Sequence, residues 1–114
     1  MPIQIYHNPR CSKSRATLAL LEAKGYAPEV IEYLKTPPTT QTIRQLVKKL
    51  GIKGHQLLRK GESEYQSLAL QDPTDAQVVD AIVKHPILLQ RPIVVAGERA
   101  AIGRPPEAVL GILS

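Results

Sequence analysis

The sequence predicts a single α/β domain over residues 1–114, in which helices cover one β-sheet. Two observations predict this class. Short apolar runs typical of strands occur in the first and last thirds of the chain, next to amphipathic helical segments. The middle of the chain, about residues 38–85, has helical periodicity throughout and is interpreted as an inserted helical region.

The first third is predicted to be strand, helix, strand. Ile3–Tyr6 has the alternation of a short strand, and Pro9 constrains the loop that follows it. Leucines and alanines then form a helical segment that ends at Gly25, and Val30–Leu34 is the second strand. This order places Cys11 at the junction of the first strand and the first helix.

The middle third is predicted to be helical. Thr39 or Thr40 is expected to cap its first helix, and Gly51 is expected to end it. Four residues form the apolar face of this helix: Ile43, Leu46, Val47 and Leu50. Shorter helical pieces are predicted around Leu57–Leu58 and over Tyr65–Leu70. A last amphipathic helix has four apolar residues: Val78, Val79, Ile82 and Val83.

The last third returns to strands. The apolar run Ile93–Ala96 and the segment Ala100–Gly103 are predicted to form a hairpin around Gly97–Glu98. Pro105–Pro106 then opens a final helix. Its apolar face has three residues: Val109, Leu110 and Leu113. The complete order, β-α-β, helical insert, β-β-α, is that of a thioredoxin-like fold.

Composition excludes several classes of protein. A single cysteine forms no internal disulfide and no cysteine-based metal cluster, and the three histidines lack metal-ligand spacing, so no metal site is expected. The net charge of +5 comes without a basic stripe, which argues against nucleic acid and leaves surface solvation as the simple explanation. We see no signal peptide and no apolar run of about 18 residues, so we expect a cytoplasmic protein without a membrane partner.

Cys11 is the candidate nucleophile. It lies at the start of a helix, where partial positive charge and unpaired N–H groups favour a thiolate over a thiol. Arg15 follows one turn later, and Arg10, Lys13 and His7 are also near in sequence. Together these groups predict a lowered Cys11 pKa. The alternative is a buried and inert cysteine, which is common for free cysteines.

Ser14 occupies the place of the second cysteine in a Cys-x-x-Cys motif. Serine cannot resolve a mixed disulfide, so an oxidised or adducted Cys11 requires an outside thiol such as glutathione or glutaredoxin. The alternative role for Ser14 is helix capping. A cysteine-phosphatase loop is excluded, because its Cys-x5-Arg motif would need an arginine where Thr17 stands.

Five ordered blocks cover nearly the whole chain: YHNPRCSKSRATLALL, YLKTPPT, LLRK, HPILLQRPIVV and GRPPEAVLGIL. Together they resemble the glutaredoxin-coupled arsenate reductase family, which has a thioredoxin-like fold with an inserted helical region. Ser12 and Lys13 after the cysteine, and the early C-terminal end, resemble a shorter, housekeeping-type branch of that family.

The resemblance also implies the site and the reaction. The resemblance implies that Cys11 is the catalytic cysteine and that His7 corresponds to the histidine that precedes this cysteine in the family. Three arginines correspond to the oxyanion-binding set: Arg59, Arg91 and Arg104. Pro92 corresponds to the cis-proline that faces the active cysteine. The implied substrate is arsenate, reduced to arsenite with glutathione as co-substrate, glutaredoxin as partner and no bound cofactor.

Two other functions stay open at this point. A general glutathione-dependent thiol oxidoreductase on the same fold is compatible with the Ser12-Lys13 departure. A redox-linked regulator that binds RNA polymerase is the other, although the best-known proteins of that kind use a Cys-x-x-Cys switch. For each arginine, a solvated surface position is the alternative to a place in the site.

Overall fold

The sheet forms from the four predicted strands. The structure, a computed structural model, describes residues 2–59, 61–68 and 73–113. Its four strands are β1 (Ile3–His7), β2 (Glu29–Glu32), β3 (Ile93–Ala96) and β4 (Arg99–Ile102). They lie in the order β2-β1-β3-β4, with β2 parallel to β1 and the other neighbours antiparallel. This order confirms the predicted βαβ and hairpin units.

Strand β2 ends earlier than predicted. Its pairing with β1 stops at Glu32, opposite His7, so Tyr33 and Leu34 lie outside the strand. The backbone N–H groups of Lys35 and Thr36 both donate to the Glu32 carbonyl at 2.9 Å, which turns the chain away from the sheet. Apolar character alone did not reveal this turn.

Helix α1 (Ser12–Ala23) connects β1 to β2 and packs on the sheet. It begins at Cys11 as predicted and ends just before Gly25, whose φ of 87° is in the left-handed region that glycine adopts without cost. Four fully buried residues form the core beneath it: Ile5, Leu21, Val94 and Val109. Burial of each such side chain contributes about 1.5–3 kcal/mol.

The final helix is a 3₁₀ helix over Pro106–Ile112. Its i to i+3 pattern is seen where Ala108 N–H donates to the Pro105 carbonyl at 3.0 Å. Val109 is fully buried, whereas the predicted face member Leu113 lies past the helix end and packs beside the core. Gly111 inside it disfavours an α-helix.

The chain divides into two compact units, Met1–Thr36 with Arg91–Ser114, and Pro37–Gln90. The predicted insert of about residues 38–85 falls within the second unit. That the whole chain is one domain stays a prediction. Among the helices that the structure describes, none is both long and apolar enough to cross a membrane.

The second unit has α2 (Thr40–Leu50), α3 (Ser63–Leu68) and α4 (Asp75–Lys84), with 3₁₀ turns at Gly54–Leu57 and Pro86–Leu88. The predicted helical piece over Tyr65–Leu70 corresponds to α3, and its last two residues lie outside the described residues.

The ends of α2 confirm the prediction. Thr39 is the N-cap and its hydroxyl accepts from the Thr42 N–H at 3.2 Å, while Gly51 ends the helix at a φ of 66°. In α4 the predicted Val83 is 36% exposed, and Ala81 is buried instead. Residue 81 lies next to position 78 on the buried face, on the side away from position 82, whereas residue 83 lies farther around the helix and faces solvent.

Candidate active site

Cys11 lies in the tight loop between β1 and α1. Its N–H donates to the Asn8 carbonyl at 3.0 Å, and its own carbonyl accepts the first helical hydrogen bond, from Arg15 N–H, also at 3.0 Å. Cys11 is therefore the N-cap of α1, with an extended backbone and no side-chain capping bond. Its partly exposed free thiol stands at the positive end of the helix.

The thiol has strong anion-stabilising partners. Burial raises the pKa of Cys11, but the Ser14 N–H, the Arg91 guanidinium and the Lys13 N–H face the sulfur and together lower the pKa below its ordinary value. Arg104 Nη2 also lies 3.7 Å from Cys11 Sγ. The predicted lowering is confirmed, and it comes from helix amides and a sequence-distant arginine.

Arg91 and Arg104 are joined to each other. Arg104 Nε donates to the Arg91 carbonyl at 2.9 Å, and Arg91 itself is only 8% exposed. The peptide bond before Pro92 is cis, as the resemblance implies, and the bond from Arg104 to Pro105 is cis as well. The structure therefore brings two of the three predicted arginines to the thiol.

Gly103 lets the segment before Arg104 lie close to Pro92 and to helix α1. Its N–H donates to the Pro92 carbonyl at 2.9 Å. A Cβ at this position would lie 2.5 Å from Thr17 Oγ1 and 2.7 Å from Pro92 Cγ, both shorter than side chains tolerate. Only glycine therefore lets the segment before Arg104 pack this closely against α1.

His7 and Ser14 form a buried pair beside the loop. His7 Nδ1 lies 2.6 Å from Ser14 Oγ, and the same oxygen accepts from the Asn8 N–H at 3.0 Å. The Ser14 hydroxyl thus holds the loop, while its N–H lowers the pKa of Cys11. Its hydroxyl bonds lie outside α1, so the alternative role of helix capping is not what its side chain does.

His7 is a neutral group in this setting. Burial lowers its pKa below 6.5, the charge of Glu32 opposes that shift, and the charge of Arg15 adds to it. The expectation that His7 adds positive charge near Cys11 is therefore wrong at pH 7, because a buried imidazole resists protonation. Hydrogen bonding to Ser14 is its observed role.

Arg15 has a different position from the one its spacing indicates. Its guanidinium donates to the Pro9 carbonyl at 2.8 Å and is exposed to solvent. It contributes to loop structure and to the electrostatics of His7. A catalytic role for Arg15 stays a prediction.

Arg59 lies in the second unit. Its backbone N–H donates to the Leu88 carbonyl at 2.7 Å, next to the isolated bridge between Leu58 and Leu89. Its Nε lies 3.4 Å from Glu62 Oε1, and both side chains are about three-quarters buried, at 25% and 24% exposed. Its assignment to the oxyanion site stays a prediction.

Sequence reasoning missed two residues at this site. Asn8 is buried, and its Oδ1 accepts from the Arg10 N–H at 3.0 Å, an Asx turn that the Asn-Pro pair could have indicated. Tyr33 is fully buried, and its pKa responds to Arg91, Asn8 and Cys11. Nothing local marks Tyr33, because its neighbours come from other strands.

This arrangement suits a small, multiply charged oxyanion. Arg91 and Arg104 supply planar donor groups that keep their charge at any working pH, and Cys11 supplies a nucleophile between them. Over residues 2–59, 61–68 and 73–113, no three His, Cys, Asp or Glu side chains are grouped as metal ligands. The expectation of no metal site stays a prediction.

Comparison with known proteins identifies the family. Residues 6–112 match the model of the ArsC family. The chain belongs to the ArsC family. This ArsC-family chain is 47% identical over 116 residues to the arsenate reductase of Haemophilus influenzae, covering 99% of this chain and 100% of that one. It is 45% identical to the arsenate reductase of Neisseria meningitidis serogroup A, covering 97% of each chain.

The structural comparison agrees with the sequence comparison. The solved arsenate reductase from Vibrio cholerae superposes on this ArsC-family chain with a TM-score of 0.93 at 45% identity, covering 98% of each chain. The α/β, thioredoxin-like fold predicted from the element order is therefore confirmed.

Proposed function

We propose that this chain is an arsenate reductase that uses Cys11 as nucleophile and glutathione and glutaredoxin as electron donors. One observation carries the proposal: Arg91 and Arg104, which are distant in sequence, both contact the thiol at the start of α1. The names of the relatives in Haemophilus influenzae and Neisseria meningitidis support arsenate as the substrate.

Arsenate binding needs cations, because the substrate and the thiolate are both anions. Arg91 and Arg104 offset this repulsion and orient the arsenate oxygens through paired N–H donors. The resemblance adds Arg59 as a third donor. The Arg104 guanidinium is held before substrate arrives, since it is hydrogen-bonded to the Arg91 carbonyl, so it needs little reorganisation at the reaction step.

The reaction begins when the Cys11 thiolate attacks arsenic. A sulfur–arsenic bond forms and an arsenic–oxygen bond breaks; the departing hydroxyl takes a proton from solvent and leaves as water. A glutathione thiolate then attacks the Cys11 sulfur, and the sulfur–arsenic bonding pair passes to arsenic. This step yields arsenite, in which arsenic has gained two electrons, and a Cys11–glutathione disulfide.

An outside thiol must complete the cycle. Cys11 is the single cysteine of the chain, and Ser14 is hydrogen-bonded to His7 where a second cysteine would stand. A glutaredoxin thiolate attacks the glutathione sulfur, and the released Cys11 thiolate returns to its amide and arginine partners. We expect this chemistry in the cytoplasm, where glutathione keeps thiols reduced.

A coupled assay tests the proposal. NADPH consumption is followed with glutathione reductase, glutathione, glutaredoxin and arsenate, using the wild-type chain and Cys11→Ser side by side. We expect an arsenate-dependent rate that Cys11→Ser abolishes. A fully reduced wild-type chain with no arsenate-dependent rate would contradict the proposal.

A general glutathione-dependent thiol oxidoreductase is the second candidate. The partly exposed Cys11, which follows the interior strand β1 of a thioredoxin-like sheet, favours it. It predicts that a small mixed disulfide is reduced at the same rate when Arg104 is replaced by alanine. A parallel loss of arsenate and disulfide reduction in Arg104→Ala would count against this candidate.

A further inference from the structure

Tyr33 has a buried hydroxyl that no hydrogen bond of good geometry satisfies. The side chain is 0% exposed and is among the largest fully buried ones. Within the described part of the chain, its hydroxyl oxygen makes no hydrogen bond of good geometry, although Asn8 and Arg91 lie near enough to change its pKa. An orphaned buried polar group costs stability and is uncommon, so its presence calls for a reason.

The sheet register brings Tyr33 to the active-site edge. In the parallel pair, His7 of β1 lies opposite Glu32 of β2, so Asn8 and Tyr33 leave the sheet side by side. In the antiparallel pair, Tyr6 lies opposite Ile93, so the chain before β3 reaches the same edge at Arg91. Three strands therefore deliver Tyr33, Asn8 and Arg91 to one row, where the loop to Cys11 begins.

The groups around the hydroxyl are mostly hydrogen-bond donors. Burial raises the pKa of Tyr33 first of all, Arg91 and Asn8 lower it, and the charge of Cys11 raises it. Tyr33 is therefore protonated at neutral pH. Arg91 can only donate, and the Asn8 Oδ1 already accepts from the Arg10 N–H. The Tyr33 oxygen is thus the acceptor toward which Arg91 can be directed.

We infer that Tyr33 is a positioning residue, whose buried hydroxyl oxygen orients the Arg91 guanidinium toward Cys11 and the bound oxyanion. Arg91 acts on both groups: it lowers the pKa of Tyr33, and it hydrogen-bonds to the Cys11 sulfur and lowers the pKa of that thiol. The hydroxyl accepts from Arg91 while the guanidinium faces the Cys11 thiolate or a bound oxyanion. A buried hydroxyl kept beside a catalytic cation, in place of an apolar group, fits a role in function.

The inference rests on the proposed function for the identity of the anion. Its effect on Cys11 does not depend on arsenate, because Arg91 also stabilises the free thiolate. The other groups that act on that thiolate are the Ser14 and Lys13 N–H groups of α1 and the guanidinium of Arg104. Tyr33 changes none of these directly, so a Tyr33 variant reports on Arg91.

The experiment measures the rate of Cys11 alkylation by iodoacetamide across pH, without arsenate, in wild type and Tyr33→Phe. We expect the alkylation rate near neutral pH to fall roughly three- to tenfold, the effect of weakening one hydrogen bond. The melting temperature should fall no more than in the control variant Tyr26→Phe, because the Tyr33 hydroxyl makes no hydrogen bond of good geometry in the structure.

Two controls test whether Tyr33 affects Cys11 through Arg91. Tyr26→Phe removes a hydroxyl that donates to the Leu113 carbonyl at 3.3 Å, and it should leave the alkylation profile unchanged. In an Arg91→Lys background, Tyr33→Phe should have no further effect on the profile.

Three results would overturn the inference. They are an unchanged profile in Tyr33→Phe, an equal loss on the Arg91→Lys background, and a greater loss of stability in Tyr33→Phe than in Tyr26→Phe. A wild-type chain without arsenate turnover would contradict the proposed function alone, since the alkylation result stands without it.

Discussion

Helices α1 and α2 differ in how the N–H groups of their first turns are used. Both helices have N–H groups without helical partners at their start. In α2 the Thr39 hydroxyl accepts from the Thr42 N–H, which satisfies one of them within the local sequence. In α1 the N-cap is Cys11, whose side chain makes no capping bond, and the Lys13 and Ser14 N–H groups lower its pKa instead.

The start of α2 therefore stabilises its helix, whereas the start of α1 holds a reactive thiolate. A hydroxyl cap adds about 0.5–2 kcal/mol to a helix and stays neutral. A thiol caps poorly, but it ionises, and its charge then draws Arg91 and Arg104 to the same point. The chain gives up some stability at α1 to keep a reactive anion there.

Arg104→Ala has the largest expected effect, because it removes a cation that makes the α1 start an anion site. We expect kcat/KM for arsenate to fall by about 10²–10³, the usual cost of removing one charge-stabilising donor. The coupled assay measures this loss. Arg99→Ala is the matched control, since Arg99 is an exposed arginine of β4, and a similar loss there would show that the effect is not specific.

Gly103→Ala should disturb the same site through packing. The new Cβ would meet Thr17 of α1 and the Pro92 ring, so we expect a loss of about 1–3 kcal/mol in the free energy of unfolding. Chemical denaturation measures it. The control is Gly111→Ala, where a Cβ has open space and should be tolerated. Equal losses in both variants would remove the packing argument for Gly103.

Exchanging the caps tests the comparison directly. Cys11→Ser places a good capping hydroxyl at α1 and should raise the free energy of unfolding by about 0.5–1 kcal/mol while ending thiol chemistry. Thr39→Ala should lower it by about 1 kcal/mol and leave Cys11 alkylation unchanged. Chemical denaturation measures the free energy of unfolding of both variants, and the rate of Cys11 alkylation is compared between Thr39→Ala and wild type. A stability loss in Cys11→Ser would show that the thiol itself stabilises the α1 start.

The smallest effect is a pH dependence from His7. Burial lowers its pKa below 6.5, so the unfolded chain binds a proton more readily than the folded chain. The stability that comes from neutral, buried His7 is therefore fully present above pH 6.5, and it is lost as the pH falls toward the pKa of His7 in the folded chain. Denaturation midpoints near neutral pH and at about one to two units lower measure the loss. His7→Gln, which keeps a polar partner for Ser14, should reduce it.

Much of the fold could be predicted because its signals are local. The Thr39 cap, the Gly51 stop and the hairpin at Gly97–Glu98 each depend on residues a few positions apart, and each was confirmed. The early end of β2 and the exposure of Val83 could not be predicted. The end of β2 depends on how far its partner β1 extends. The exposure of Val83 depends on which side of α4 other elements cover, so the residues of β2 and α4 alone do not determine these features.

By itself, the sequence determined the single cysteine, its place at a helix start and the direction of its pKa shift, because helix amides come from neighbouring residues. Only the tertiary structure decided which cations reach the thiol. Arg15, one turn away, bonds to the Pro9 carbonyl, whereas Arg91 and Arg104 reach Cys11 from the ends of distant strands. The same holds for Tyr33, because strand pairing brings sequence-distant side chains into contact.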